Sequence, residues 1–155
     1  MIHLSACRRD GFTLIEISIV VAIMAVLAAA VLPLFSSSTD DAKDCVVRHN
    51  LQVLRLQIEL YKLDHKGGLP DGSSNLSQMT TATDADGNTG LSSTQFRLGP
   101  YLVEIPANPY SGSAKVRLFA GTGAPTASNV PDAGWIYQPA TGAIWCDDPV
   151  VITKY

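Results

Sequence analysis

The chain has 155 residues and a formal net charge of −3, from 11 Lys and Arg against 14 Asp and Glu. This length fits one small domain with an additional element, and scattered basic residues give no electrostatic basis for nucleic-acid binding. The three cysteines and three histidines form no CxxC and no metal-ligand spacing, which argues against a structural zinc site.

Residues 12–35 form a nearly continuous apolar run. As a helix rising 1.5 Å per residue, it would extend about 36 Å, enough to cross a hydrocarbon core of roughly 30 Å. Arg8 and Arg9 precede the run, and basic residues favour the cytoplasmic side of a membrane. We therefore predict a transmembrane helix half over residues 12–35, with the N-terminus cytoplasmic and the rest of the chain extracytoplasmic.

Four kinds of N-terminal segment share these features: a plain single-pass anchor, a secretory signal peptide, a lipoprotein signal, and a precursor that is cut before the apolar run and keeps it. Leu4–Cys7 resembles a lipobox, but no apolar stretch precedes it. A signal peptide could be cut at Ala28–Ala30, yet the run exceeds the 7–15 apolar residues that such a signal needs. It also contains Glu16, and a carboxylate costs about 2.5–3.5 kcal/mol at the centre of a membrane helix, less near the interface.

The segment Gly11–Glu16 reads GFTLIE and resembles the processing site of type IV prepilins and their relatives. In that family a membrane peptidase cuts after the glycine, and the new N-terminal residue, here Phe12, is usually N-methylated. The resemblance implies a cleaved cytoplasmic leader over residues 1–11. It also implies a helix kink at Pro33, where many members carry a proline that removes a backbone hydrogen bond.

The chemistry of this site can be argued from the residues themselves. Cleavage gives Phe12 a free amine one helical turn before Glu16, and an ion pair is strongly favoured over a lone charge in a low dielectric. The amine of a joining subunit could neutralise the Glu16 of a neighbour and fix the axial register. Glycine at position 11 offers the peptidase an unhindered backbone. The alternative is that Glu16 only snorkels to the membrane interface.

Residues 36–66 are predicted to form an amphipathic helix half. At about 100° per residue the apolar side chains form two stripes on nearly opposite sides. The first stripe is Val47, Leu51, Leu54, Ile58 and Tyr61, and the second is His49, Val53, Leu56, Leu60 and Leu63. We expect the first stripe to carry the head. The second is expected to meet neighbouring subunits or more of the same head, with His49 as a packed core histidine.

Residues 67–155 are predicted to form an extracytoplasmic head. Gly67 and Gly68 end the helix, and residues 71–95 are polar and read as a long surface loop. Within that loop, residues 84–88 faintly resemble a calcium loop but lack its bidentate glutamate. Alternating residues predict a strand over 115–120, and a hairpin follows with arms at 134–137 and 143–145 around a turn at 138–142.

The segment Glu59–Asp64, followed by Leu69-Pro70, and the Pro-rich run 105–110 resemble major pseudopilins of type II secretion systems. This resemblance implies an α+β, type IV pilin-like fold, with one long N-terminal helix packed against a small C-terminal antiparallel β-sheet. It implies self-association into a fibre, and as further partners a prepilin peptidase, an inner-membrane assembly platform and other pilins.

Major pseudopilins typically bind calcium in an Asp-rich C-terminal loop. Here only three carboxylates are near that place, and the adjacent pair Asp147-Asp148 is expected to be solvated. These carboxylates are Asp132, Asp147 and Asp148. We therefore predict no cofactor, with calcium as the open alternative.

Cleavage after Gly11 would remove Cys7 and leave Cys45 and Cys146 in an exported chain. An even pair of cysteines outside the cytoplasm is compatible with a disulfide. A Cys45–Cys146 bridge is therefore a hypothesis, with two free thiols as the alternative.

The sequence contains no nucleophile elbow, metal-ligand cluster or phosphate-binding glycine loop, so we do not predict an enzyme. The leading prediction is a structural subunit of a pseudopilus or pilus in the bacterial inner membrane, on the branch of type II secretion. The alternatives are a type IV pilin for motility, adhesion or competence, and a single-pass membrane-anchored binding domain.

Overall fold

The structure is a computed structural model that describes residues 11–127 and 132–155, and residues 32–38 by their backbone alone. The chain divides into two compact units, of which the first ends at Asp41 and the second is Ala42–Tyr155. Apart from Gly11, the predicted leader lies outside the described residues. The predicted division into leader, two helix halves and head stays a prediction.

Helix α1 is Leu14–Asp64, 51 residues long. It ends in a turn in which the Gly67 N–H donates to the Lys62 carbonyl at 2.8 Å, while Lys66 and Gly67 both have positive φ. This is the bonding pattern of a Schellman cap, in which a left-handed residue satisfies a carbonyl of the last turn. Helix α1 thus ends at Asp64, two residues before the predicted bound at 66, and Gly67 lies in the turn that follows.

In the second unit, one face of α1 carries the head core. All five residues of the first predicted stripe, Val47 to Tyr61, are at most 2% exposed. The second stripe is largely exposed, with Leu56 at 68%, so the head does not cover it. His49 is exposed, and its predicted place in the core is wrong, because it lies about 200° around the helix from Val47.

The buried histidine is instead His65, at the end of the same helix. Its ring stacks on Tyr61 at a centroid distance of 3.8 Å. Nδ1 lies 2.8 Å from the Tyr61 carbonyl, and Nε2 lies 3.1 Å from the hydroxyl of Thr83. Because a carbonyl only accepts, Nδ1 carries the proton that is donated to the Tyr61 carbonyl.

Residues 71–95 are more structured than the predicted surface loop. They contain helix α2, Ser73–Thr80, and a two-stranded antiparallel sheet of β1, Ala82–Thr83, and β2, Thr89–Gly90. Leu76 and Met79 of α2 are buried. Ser74–Leu76 have a left-handed backbone, and the Asn75 side chain accepts from the N–H of the distant residue Val116 at 2.6 Å.

The main sheet has three strands in the order β3-β4-β5: Val116–Leu118, Trp135–Gln138 and Ala143–Cys146. Strands β4 and β5 form the predicted antiparallel hairpin, with Ile136 opposite Trp145. Strand β3 pairs with β4 in parallel, so the sheet is mixed. The predicted α+β fold with a long N-terminal helix is confirmed. Its sheet differs from the predicted antiparallel one because β3 and β4 are parallel.

The aromatic residues of β4 join the sheet to the rest of the core. Trp135 and Tyr137 are fully buried. The indole N–H of Trp135 donates to the Pro106 carbonyl at 2.7 Å, and the Tyr137 hydroxyl donates to the Pro70 carbonyl at 2.9 Å. Buried Trp and Tyr thus contribute apolar area while their polar atoms remain bonded.

Candidate functional site

The predicted cleavage site lies just before α1. Gly11, Phe12 and Thr13 are exposed and precede the first helical turn, and the Phe12 side chain is 83% exposed. A Cβ placed on Gly11 would meet nothing within 4 Å. Packing within the described chain therefore does not require glycine here, and the role of Gly11 in cleavage stays a prediction.

Thr13 and Glu16 form a capping box at the start of α1. The Thr13 N–H and its hydroxyl both donate to Glu16 Oε2, at 3.1 and 3.0 Å, and the Glu16 N–H donates to Thr13 Oγ1 at 3.3 Å. These bonds satisfy backbone donors that a helix start leaves without partners. Sequence reasoning missed this role, although Thr-x-x-Glu before an apolar run is its signature.

The capping bonds leave room for the predicted ion pair. Both Thr13 donors reach Oε2, and within the described chain Glu16 Oε1 accepts no hydrogen bond. A carboxylate has about four acceptor positions, so it can cap its own helix and still receive an amine. The pairing of the Phe12 amine with Glu16 stays a prediction, because that amine exists only after cleavage.

The first part of α1 is apolar on all sides. The span Leu14–Val31 has a mean hydropathy of 2.7 and none of it is buried. By length and composition it could cross a membrane, and its exposure distinguishes it from the core helix of a soluble protein. The helix assignment continues through Pro33, whose side chain is outside the description, so the predicted kink stays a prediction.

The proposed Cys45–Cys146 disulfide is not formed in the structure, where both thiols are free. Cys146 is buried and its Sγ lies 3.1 Å from the Asn108 amide nitrogen. Burial raises the pKa of the Cys146 thiol to about 12. Cys45 is exposed and lies about 160° around the helix from the core residue Val47, so the two thiols occupy opposite environments.

The calcium-like loop is an internally bonded turn. The Asp84 carboxylate accepts the backbone N–H groups of Asp86 and Asn88 at 3.0 and 2.9 Å, and the Asn88 side chain donates to it at 2.9 Å. These bonds lower the pKa of Asp84. The carboxylate thus closes the β1–β2 connection, as Asx turns do.

The expected solvation of Asp147 and Asp148 is wrong for Asp147, which is fully buried beside Arg117. Sequence spacing gave no sign of this pair, because 30 residues separate the two. Within residues 11–127 and 132–155, no group of three or more His, Cys, Asp or Glu side chains could hold a metal ion.

A family model described as the prokaryotic N-terminal methylation motif matches residues 7–32. The match includes the predicted cleavage site, the capping box and the apolar span. The recognition of a prepilin-type N-terminal segment is thereby confirmed.

Curated relatives carry related names. The chain is 41% identical over 58 residues to the type II secretion system core protein G of Pseudomonas aeruginosa, covering 37% of this chain and 41% of the relative. It is 29% identical over 103 residues to the protein of the same name from Klebsiella pneumoniae, covering 66% and 70%. A prepilin peptidase-dependent protein A of Clostridium perfringens is 38% identical over 53 residues, covering 34% of this chain and 38% of the relative.

These alignments leave much of the relatives unmatched, since the chain covers 41% of the Pseudomonas protein's length. No solved structure gave a significant match. The family model places its part of the resemblance at residues 7–32.

Proposed function

We propose that this chain is a structural subunit of a pseudopilus, part of a machine like the type II secretion system. The observation that carries the proposal is the arrangement at the start of α1. An exposed Gly11–Phe12 bond precedes a capped helix whose apolar span contains one carboxylate, Glu16, and a methylation-motif model matches this region. The names of the Pseudomonas and Klebsiella relatives support the secretion branch.

In this proposal a prepilin peptidase removes residues 1–11 in the inner membrane and Phe12 becomes the N-methylated terminus. The head lies on the extracytoplasmic side. An assembly platform then moves subunits from the bilayer into a fibre, where they contact one another and other pilins through their N-terminal helices. Assembly, and not catalysis, is the activity.

In this mechanism the Glu16 carboxylate fixes the axial position of one subunit relative to its neighbour. Apolar helices can slide past one another, since their packing changes little with a shift of one turn. A Phe12 amine that must neutralise the Glu16 of a neighbour penalises other positions, because an unpaired charge in a low dielectric is costly. The free Oε1 of the capped carboxylate supports this role.

A type IV pilin for motility, adhesion or competence is the second candidate, and the name of the Clostridium relative is compatible with it. Both candidates share the processing step. A membrane-anchored binding domain would retain residues 1–11 and remain a monomer.

Intact-mass measurement of the chain purified from membranes tests the processing step. We expect a mature chain that begins at a monomethylated Phe12. The variant Gly11→Val is expected to keep its leader, whereas Ala6→Val, a comparable change within the leader, is expected to be processed. A wild-type chain that retains residues 1–11, or that begins after Ala30, would contradict the proposal.

A further inference from the structure

We propose that three carboxylates in the C-terminal part of the head, Asp132, Asp147 and Asp148, are each bound by this chain's own cations or N–H groups, with Arg117 in the role that a calcium ion would have. The head is then stable without calcium. This inference concerns the head alone, and it does not depend on whether the chain assembles into a fibre.

Arg117 and Asp147 form a two-pronged ion pair. Arg117 Nε donates to Asp147 Oδ2 and Nη2 donates to Oδ1, both at 3.2 Å. The Asp147 side chain is fully buried, while that of Arg117 is 39% exposed. A guanidinium that engages both carboxylate oxygens is among the strong forms of charge-assisted hydrogen bond. A metal ion at Asp147 would have to displace the Arg117 guanidinium from the carboxylate, and would then lie close to that positive charge.

The other two carboxylates, Asp148 and Asp132, also have partners. Asp148 Oδ1 accepts the N–H groups of Val150 and Val151 at 2.9 and 3.3 Å, which fixes the turn that buries the Val151 side chain. Asp132 lies 3.7 Å from the Lys115 ammonium, with both side chains mostly exposed. The exposed pair contributes little, so Arg117–Asp147 is the principal contact.

Arg117 links three segments of the head. It lies on β3, it pairs with Asp147 just after β5, and its Nη2 also donates to the Thr126 carbonyl at 3.2 Å. Joining loops that are distant in sequence through several oxygen atoms is what a structural cation does. Here a side chain does it, and its charge is permanent because arginine does not lose its proton in proteins.

The donor set does not fit calcium, which takes six to eight oxygen ligands. Both Asp147 oxygens are bound to Arg117, and Asp148 Oδ1 is bound to backbone N–H groups. The remaining candidate, Asp84, is used within its own turn. In addition, no group of three ligating side chains occurs in the described ranges. We therefore infer that the head has no site at which calcium could stabilise it.

The test is the thermal midpoint of the full-length chain in detergent micelles, measured by near-UV circular dichroism in millimolar CaCl2 and in EDTA. Both tryptophans lie in the head, at Trp135 and Trp145, so the signal reports head packing. We expect the same midpoint in both solutions. A midpoint that rises by several degrees in calcium would overturn the inference.

A pair of variants tests the role of Arg117. Arg117→Gln leaves Asp147 buried without its cation and is expected to lower the midpoint by roughly 10 °C, in calcium and in EDTA alike. Arg97→Gln removes the same charge from an exposed residue and is expected to change it little. Equal changes in the two variants would refute the role of Arg117. If Arg117→Gln does not fold, Arg117→Lys replaces it. Lysine keeps the positive charge but cannot donate to both Asp147 oxygens from a planar group. We expect Arg117→Lys to lower the thermal midpoint more than Arg97→Lys does.

Discussion

Two stretches of α1 are both rich in apolar residues but differ in where those residues are found. In Leu14–Val31 the apolar side chains surround the helix and none is buried. In the stretch from Val47 to Tyr61 one stripe is at most 2% exposed and the opposite face is open. The comparison shows that the arrangement of apolar residues around a helix, more than their number, indicates what surrounds it.

The polar side chains of the two stretches differ as well. The first has Glu16 as its only charged residue, and that carboxylate caps its own helix. The second binds the head through polar side chains: Arg55 donates to the Ile144 carbonyl at 3.1 Å, and Asp44, three residues before the stretch, accepts from the Tyr110 hydroxyl at 2.6 Å. Four predictions test this difference.

The largest expected effect is that of Glu16→Leu, which should abolish fibre assembly while the chain is still made and processed. The substitution removes the carboxylate that would pair with a neighbour's amine. Shearing of surface fibres followed by immunoblotting measures assembly, and intact mass checks processing. Glu59→Leu is the control, since among the described residues Glu59 pairs only with Lys62, at 3.5 Å and on the exposed surface. Normal fibres from Glu16→Leu would contradict the proposed role.

Thr13→Val separates the two roles of Glu16, because it removes the side-chain partner in the cap and keeps the carboxylate. Loss of an N-cap costs about 1 kcal/mol, which a long helix tolerates. We therefore expect reduced but measurable assembly. Assembly as poor as that of Glu16→Leu would mean that capping is the main function of the carboxylate.

Substitutions on the two faces of the second stretch should differ in their effect on the free energy of unfolding, and this effect is smaller than those above. Leu54→Ala should lower the free energy of unfolding of the head by about 2–5 kcal/mol, because Leu54 is buried and its loss leaves a cavity. Leu56→Ala, the same change on the exposed face, should alter it by no more than about 0.5 kcal/mol. Chemical denaturation in detergent, followed by tryptophan fluorescence, measures both. Equal losses would mean that the second face is also covered.

The smallest effect concerns pH. The hydrogen bond from Tyr110, and next that from Lys154, lower the pKa of Asp44. A lowered folded-state pKa adds stability above the ordinary aspartate value of about 3.9, and this is lost as the pH falls further. Asp44→Asn should thus have a lower thermal midpoint than the wild type near neutral pH. The difference between the two midpoints should become smaller below about pH 4. Thermal midpoints across this range would show it, and a gap independent of pH would contradict it.

Local patterns in the sequence predicted much of the fold. The stripe from Val47 to Tyr61 followed from helical periodicity, and the β4–β5 hairpin followed from aromatic arms around a short turn. The cleavage site and Glu16 could be proposed because their chemistry depends on residues within one helical turn. In each case the interacting residues are close in the chain, so spacing determines geometry.

The features that were missed depend on distant residues. The parallel pairing of β3 joins Val116 to Trp135, and no short-range signal specifies it. The burial of Asp147 depends on Arg117 in another strand. His49 was wrongly expected in the core and the burial of His65 was not predicted, because which side chains the head covers depends on the head. The left-handed turn at Asn75 is likewise stabilised by contacts with β3.

The different environments of Cys45 and Cys146 have a practical consequence. A thiol reacts as its thiolate, and Cys146 is both buried and held protonated by a pKa of about 12. If Cys7 leaves with the leader, Cys45 is the one thiol of the mature chain that a maleimide or nitroxide reagent can reach at neutral pH. The native sequence therefore provides a single labelling position on the open face of α1, from which distances between neighbouring copies can be measured by electron spin resonance.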